Sequence, residues 1–189
     1  MKENKENGHF FKDSTAWKVS LIAILTATAL GGNYALSGVP NVEISSVMVF
    51  LSGFLFGFTI GALVGFTAMT IYQFLNPWGP FIPPIGGAVI ACTVFIGIVG
   101  GISGRNYQIG KTVEIKWVTG LALLGVTTTL FFDLATNYAY TITFGVPYIV
   151  AVTFGLPFSL IHVASNGLLF GLLTPPISQV VSQILLGKD

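Results

Sequence analysis

Charged side chains are scarce in this chain, at 8% of its 189 residues, whereas ordinary soluble domains contain about 25%. Hydrophobic residues make up 53% of the sequence, and the mean hydropathy is +0.82. This balance excludes an ordinary soluble domain and predicts an integral membrane protein. The net charge of +1 at pH 7 also argues against a nucleic-acid partner, since such partners require a basic surface.

Residues that would support disulfides, metal sites or familiar catalytic motifs are equally few. The one cysteine, Cys92, has no partner for a disulfide within the chain. Two histidines, His9 and His162, are too few for a metal site of normal ligand count. Ser103 lacks a GxSxG setting, and Ser165 has no evident activating group. We therefore expect no cofactor, no metal and no enzymatic activity.

A phosphate-binding loop of the GxxxxGK[ST] kind is also missing from the sequence. Such a loop would cradle the phosphates of a bound nucleotide. We therefore expect that any coupling to ATP hydrolysis comes from partner proteins.

Long apolar runs fill most of the chain, and a membrane-spanning helix needs about 20 apolar residues. They predict a polytopic all-α membrane protein with six transmembrane helices, at residues 17–36, 44–57, 59–75, 85–104, 117–138 and 147–173. A tight turn near Gly57 is predicted to separate the second and third, because one helix over 44–75 would be about 48 Å long. The six-helix domain is expected over 15–176, between cytoplasmic tails at 1–14 and 177–189.

The eight basic residues set the predicted orientation. They lie before or in the first span, in one internal loop and near the C terminus, as Lys2, Lys5, Lys12, Lys18, Arg105, Lys111, Lys116 and Lys188. Because basic loops stay cytoplasmic, we expect a multi-pass protein of the cell membrane with both termini in the cytoplasm. The segments 37–43, 76–84 and 138–146 contain no Lys or Arg and are then expected outside.

Small residues recur at every fourth position on two predicted helices, which allows helix backbones to approach closely. Gly57, Gly61 and Gly65 are expected to pack inside this protein. Ala23 and Ala27 lie in the predicted cytoplasmic half of the first span. We expect these two alanines on a surface that meets another subunit.

Polar side chains converge on the outer third of the predicted bundle, where each must be paired or face a cavity. Asp133 and Asn137 are four residues apart and share a helix face. They either line a ligand site or hydrogen-bond each other or a neighbouring helix. His162 and Asn166 are either the floor of that site or a packing pair. The other candidate substrate-binding residues are Asn33, Asn41, Glu43, Gln73 and Trp78.

A cavity of this composition suits an uncharged or weakly charged solute that contains a ring. The segment 76–84 (NPWGPFIPP) contains four prolines in nine residues and is expected to be comparatively rigid. It is interpreted either as a lid or rim over the cavity, or as an interfacial cap built on Trp78.

Five segments carry a family resemblance that spans almost the whole chain. In order they read VPNVEISSVMVFLSGFLFG (39–57), GALVGF (61–66), FLNPWGPFIPP (74–84), FFDLATN (131–137) and GLPFSLIHVASNGLLFGLLTPP (155–176). Together they resemble the substrate-binding S component of energy-coupling factor vitamin transporters. No substrate-specific signature is recognised among them.

The resemblance implies a six-helix protein that binds a vitamin or related micronutrient beneath its outer loops. It also implies association with a transmembrane coupling subunit and two cytoplasmic ATPases, followed by delivery of the solute inward. Ala23 and Ala27 match the Ala-x-x-x-Ala motif with which that family contacts the coupling subunit.

Two other functions stay open from the sequence, both within a lipid bilayer. A stand-alone facilitator or channel would conduct a small solute without ATPases and without binding through the face of Ala23 and Ala27. An intramembrane enzyme would use Asp133 or His162 as a general acid or base, but a second catalytic group with defined chemistry is missing.

Overall fold

The computed structural model describes residues 14–77, 79–105 and 114–186, and this part of the chain is all-α. Its six helices are α1 (Thr15–Ala35), α2 (Ile44–Phe56), α3 (Phe58–Phe74), α4 (Pro83–Gly104), α5 (Ile115–Phe144) and α6 (Tyr148–Leu186). The predicted fold class and the number of helices are confirmed.

Four of these helices contain stretches long and apolar enough to cross a membrane: Thr15–Ala35, Pro83–Gly104, Ile115–Phe144 and Tyr148–Val181. The other two are apolar but shorter, with 13 residues in α2 and 17 in α3, or about 20 and 26 Å. Helix length and hydropathy therefore identify a multi-pass membrane protein.

The predicted break near Gly57 is confirmed, because this residue alone separates α2 from α3. Its φ of 97° lies in a region that residues with a side chain avoid. At the same end of the bundle, the Arg105 guanidinium lies 5.5 Å from the Phe58 ring centroid. The Trp17 and Phe56 rings are 6.2 Å apart. We call this end, which carries the Gly57 turn, Trp17 and Arg105, the basic end.

Glycine backbones hold α2, α3 and α4 tightly together. A Cβ built on Gly61 would lie 2.5 Å from the carbonyl oxygen of Gly97 in α4. A Cβ on Gly65 would lie 2.8 Å from the carbonyl oxygen of Thr93. Neither site has room for a side chain, so Gly61 and Gly65 pack inside the protein as predicted. Gly57 differs from them because it forms the turn.

The centre of the bundle is α2, which contacts α1, α3, α4 and α6. Nine of its 13 residues are buried, as expected for a helix that is apolar on every side. Against α6, the Phe50 ring packs on Phe170 with their centroids 4.6 Å apart.

The last helices extend beyond their predicted ends. Residue 138 was predicted to end the fifth span, but α5 continues to Phe144 and stops at Gly145, whose φ is 67°. The sixth was predicted to end at 173, but α6 continues through Pro175 and Pro176 to Leu186. Each of these prolines removes one backbone donor from the helix, and next to them Ser178 Oγ donates a hydrogen bond to the Pro175 carbonyl at 2.8 Å.

Candidate functional site

A cavity exists in this bundle because α2 begins deeper than its neighbour α4. The carbonyl groups of Phe50 and Phe54 lie against Gly100 and Gly104, so α2 and α4 run in the same direction. Phe50 is six residues from the start of α2, whereas Gly100 is seventeen residues from the start of α4. At ~1.5 Å per residue, α4 therefore extends roughly 16 Å further than α2. Over this length of α4, the space in line with α2 is not filled by α2.

The cavity has a volume of about 350 Å³. Its walls come from the ends of α1 and α3, from α4 and α5, and from the 36–43 connection that leads into α2. It is lined by Asn33, Leu36, Ser37, Val39, Pro40, Asn41, Val42, Glu43, Met69, Tyr72, Gln73, Asn76, Val89, Phe132 and Thr136. We call the end of the bundle that holds it the cavity end.

Four predicted binding residues meet in this lining, namely Asn33, Asn41, Glu43 and Gln73. They come from α1, from the connection before α2 and from α3, so the fold brings together side chains up to 40 positions apart in the sequence. Trp78 lies outside the described residues.

The first turn of α2 is fixed by two lining side chains. Asn33 Oδ1 accepts a hydrogen bond from the Ser45 backbone N–H at 3.3 Å, which satisfies a donor that the first turn of a helix leaves unpaired. Glu43 occupies the N-cap position, and its Oε2 accepts a hydrogen bond from Ser46 Oγ at 3.3 Å. A carboxylate there is favoured by the positive end of the helix dipole.

The connection before α2 is fastened to α6 at Asn41. This residue has a φ of 60°, in the left-handed region that asparagine tolerates better than most residues. Its carbonyl accepts a hydrogen bond from Ser165 Oγ at 3.0 Å. The connection therefore enters α2 at a fixed angle, which holds Glu43 against the cavity.

Aromatic contacts join the helix ends around the cavity. The Tyr34 hydroxyl donates a hydrogen bond to the Leu75 carbonyl at 3.1 Å, and the rings of Tyr34 and Tyr72 lie 5.4 Å apart. In the connection from α3 to α4, the Phe81 ring stacks on Phe74 with centroids 4.7 Å apart. These contacts join α1, α3 and the connection after α3 around the cavity.

Behind the cavity, three ionisable side chains form a row from α2 through α6 to α5. Asp133 Oδ1 and His162 Nδ1 are 2.8 Å apart, and His162 Nε2 is 3.9 Å from Glu43 Oε2. The side chains of His162 and Asp133 are 3% and 11% exposed. Among the described residues, neither His162 Nε2 nor Asp133 Oδ2 has a hydrogen-bond partner.

Asp133 and Asn137 do share a helix face, and that face meets α6. Asp133 pairs with His162, while a Cβ built on Gly155 would lie 3.1 Å from Asn137 Oδ1. One turn further along α6, Asn166 Nδ2 donates a hydrogen bond to Thr129 Oγ1 at 3.0 Å. The contact of Asp133 matches the alternative in which it hydrogen-bonds a neighbouring helix, whereas His162 and Asn166 bond to residues of α5 and not to each other. The roles of Asp133, Asn137 and His162 in substrate binding stay predictions.

Several lining residues were missed by the sequence analysis. Met69 and Asn76 lie four residues before and three residues after the predicted Gln73, and Phe132 and Thr136 are four residues apart. A search for partly polar stripes of period three to four, extended from Gln73, would have found the first group. Phe132 and Thr136 carried no comparable signal.

The predicted subunit-contact residues lie on the outside of the bundle. Ala23 and Ala27 are exposed on α1, as is Gly31. Within the described chain, nothing approaches within 4 Å of a Cβ built on Gly31. This face of α1 is therefore open to lipid or to another helix.

Comparisons with known proteins identify no family for this chain. No protein-family model, no curated protein and no solved structure matches it. The fold and composition establish a helical multi-span membrane protein, and its activity is a matter for proposal.

Proposed function

We propose that this protein is the substrate-binding S component of an energy-coupling factor transporter. In this role it captures a vitamin or related micronutrient and delivers it inward, together with a transmembrane coupling subunit and two cytoplasmic ATPases. It acts in the cell membrane with both termini in the cytoplasm. Its resemblance to S components is the reason for choosing this class of transporter.

The cavity lined by amides and one carboxylate is the observation that carries the proposal. Polar side chains within a membrane bundle are expensive unless they are paired or face a cavity. The volume of about 350 Å³ falls in the range of small-molecule sites, roughly 300–1,000 Å³. Amides such as Asn41 and Gln73 donate and accept hydrogen bonds, and the rings of Tyr72 and Phe132 offer stacking surfaces.

The packing beneath the cavity supports binding rather than free conduction. α2 continues from the cavity towards the basic end, and nine of its 13 residues are buried. The glycine contacts with α3 and α4 leave no room for side chains there. A solute held in the cavity would therefore need a movement of the protein to pass, which suits a subunit that works with an energised partner better than a stand-alone facilitator.

The exposed face of α1 supports a membrane partner. Ala23 and Ala27 leave the backbone of α1 accessible to a second helix, and small residues at this spacing favour close helix pairing in lipid. The sequence contains no nucleotide-binding loop, so the ATPases are separate chains.

Mass spectrometry of small molecules released on denaturing the detergent-purified protein tests the proposal. We expect a near-stoichiometric micronutrient from the wild type, and its loss from Gln73→Ala. Thr67→Val is the matched control, because Thr67 lies on the same helix, is half-buried outside the cavity lining, and donates its hydroxyl hydrogen bond to its own helix backbone at Leu63. Uptake into liposomes that contain this protein alone would instead establish a facilitator.

A further inference from the structure

We propose that the cavity selects solutes that carry an amino or ammonium nitrogen, and that this nitrogen binds the Glu43 carboxylate. The inference rests on the proposed function, since it names the class of solute that the same cavity accepts. It goes further because it predicts which charge a micronutrient must carry and which atoms recognise it.

The charges around the cavity are of one sign. Glu43 is the only one of the fifteen described lining residues that is formally charged near neutral pH, and none is Lys or Arg. Asp133 adds a second carboxyl group directly behind His162. With both carboxylates ionised, the row carries a net negative charge whether or not His162 is protonated. A cationic group gains from this field, whereas a carboxylate or phosphate is opposed by it.

The described basic side chains cannot offset this charge, because they lie far from the cavity. Lys18 and Lys116 are within the first turn of α1 and α5, and Arg105 follows the last residue of α4. All three positions are at the basic end. An anionic solute would therefore lack a positive side chain from the described part of the protein.

The start of α2 is a second feature that normally attracts anions, but protein groups already lie there. Asn33 Oδ1 accepts a hydrogen bond from the Ser45 N–H, and Glu43 takes the N-cap position with a side chain that is only 30% exposed. An anionic solute at this helix end would therefore meet the negative charge of Glu43.

Glu43 is the lining group that a positively charged nitrogen can reach. Its side chain is 30% exposed and lines the cavity. Its Oε2 accepts a hydrogen bond from Ser46 Oγ at 3.3 Å, and a carboxylate can accept several more. His162 lies behind Glu43 and outside the lining, with Nε2 fully buried, so the solute meets the carboxylate and not the ring.

An ammonium nitrogen suits this carboxylate better than the alternatives. It gains both a hydrogen bond and the attraction of opposite charges at Glu43. A hydroxyl donates a hydrogen bond without carrying a charge, whereas an ionised carboxylate or phosphate donates none and is repelled.

Four ring compounds that differ at one group test the inference on the wild-type protein. Pyridoxamine carries an aminomethyl group, pyridoxine carries a hydroxymethyl group at the same position, and 4-pyridoxate carries a carboxylate there. Pyridoxamine 5′-phosphate keeps the amine but adds a phosphate. Binding to the full-length detergent-purified protein is measured by calorimetry. We expect pyridoxamine to bind at least about tenfold more tightly than pyridoxine, as a charge-assisted hydrogen bond would give, and both anionic compounds to bind more weakly still.

A variant pair then locates the nitrogen. Glu43→Gln keeps the shape of the side chain and an oxygen acceptor for Ser46, and we expect it to lose the preference for pyridoxamine over pyridoxine. Glu114→Gln is the matched control and should keep the wild-type preference. Glu114 lies just before α5 at the basic end, far from the cavity, where it pairs with Lys116 at 2.7 Å. Gel filtration establishes that both variants are folded.

The outcomes separate this inference from the proposed function. Tighter binding of pyridoxine or 4-pyridoxate than of pyridoxamine would overturn the inference, and so would an unchanged preference in folded Glu43→Gln. In either case, loss of solute binding in Gln73→Ala would show that the cavity is still the binding site, and the proposed function would stand. Failure of all four compounds, together with no co-purifying micronutrient, would overturn both.

Discussion

The two sides of α2 are held in different ways. Towards α3 and α4, glycines such as Gly61 and Gly97 bring the backbones into contact, and no space remains for a side chain. Towards α6 and α5, the contact combines the rings of Phe50 and Phe170 with a buried row of ionisable groups around His162. The first side is complete without any other molecule. The second still contains polar atoms without a partner among the described residues.

This difference indicates where function can reside. A surface packed through backbones is rigid, and it transmits strain rather than accepting a ligand. Buried polar groups with spare hydrogen-bonding capacity are costly in a membrane, and they mark functional sites. Because α2 is common to both sides, it joins a fixed support to the floor of the cavity. The comparison predicts that substitutions on the glycine side disrupt folding, whereas those on the polar side affect binding as well.

The largest effect is expected on the glycine side, from Gly97→Ala. Its new methyl group would collide with the backbone of Gly61, and overpacking of this kind destabilises by about 1–3 kcal/mol or more. We expect a marked fall in the melting temperature and in the yield of monodisperse protein. Gly87→Ala is the control on the same helix, since nothing lies within 4 Å of a Cβ at that position. Equal melting temperatures for the two variants would show that the glycine contacts are not tight.

On the polar side, Asp133→Leu and His162→Leu should each destabilise the protein, Asp133→Leu by about 3 kcal/mol. Asp133→Leu leaves His162 buried without its partner, and breaking a buried pair from one side is costly. The double variant Asp133→Leu/His162→Leu should recover part of that loss, because it removes both polar groups. Thermal unfolding of the single and double variants completes the cycle. If the two positions behaved additively, the contact at 2.8 Å would not stabilise the fold.

Gln73→Ala should separate binding from folding. Gln73 lines the cavity and lies in the last turn of α3, beyond the tight contacts of Gly61 and Gly65 with α4. We expect its loss to weaken solute binding by about tenfold, the effect of one hydrogen bond, with little change in the melting temperature. Calorimetry and thermal unfolding on the same preparation would measure both. A large fall in stability would mean that this wall of the cavity is structural.

Sequence patterns predict the helices better than the relations between them. Apolar runs and Gly57 define the six helices and the break between α2 and α3, because these depend on local hydrophobicity and backbone freedom. The depth of α2 could not be predicted, since it is set by contacts such as Phe50 with Gly100, which are far apart in the chain. The same is true of Asp133. Its partner on α6, His162, could not be predicted because it depends on how two helices pack.

The site also combines residues that local sequence signals predict with residues that only helix packing brings together. Four predicted residues line the cavity because each lies next to a helix end or in a connection, where the sequence already signals a boundary. The row formed by Glu43, His162 and Asp133 was missed as a unit, since its members belong to three elements. The end of α6 was also predicted too early, because Pro175 and Pro176 lie within the helix and do not end it.

The smallest effect on folding is expected for Ala27→Leu, on the surface that neither side of α2 uses. Ala27 is exposed, so a larger apolar side chain meets lipid rather than the protein interior, and stability and solute binding should stay unchanged. Under the proposed function, uptake into cells that also express the proposed coupling subunit and ATPases should fall strongly, because leucine prevents the close approach of a second helix. Ile24→Leu is the control, since this neighbouring position is 65% exposed and already bulky. Full uptake by Ala27→Leu would remove α1 from the partner surface and leave the cavity as the only feature that supports transport.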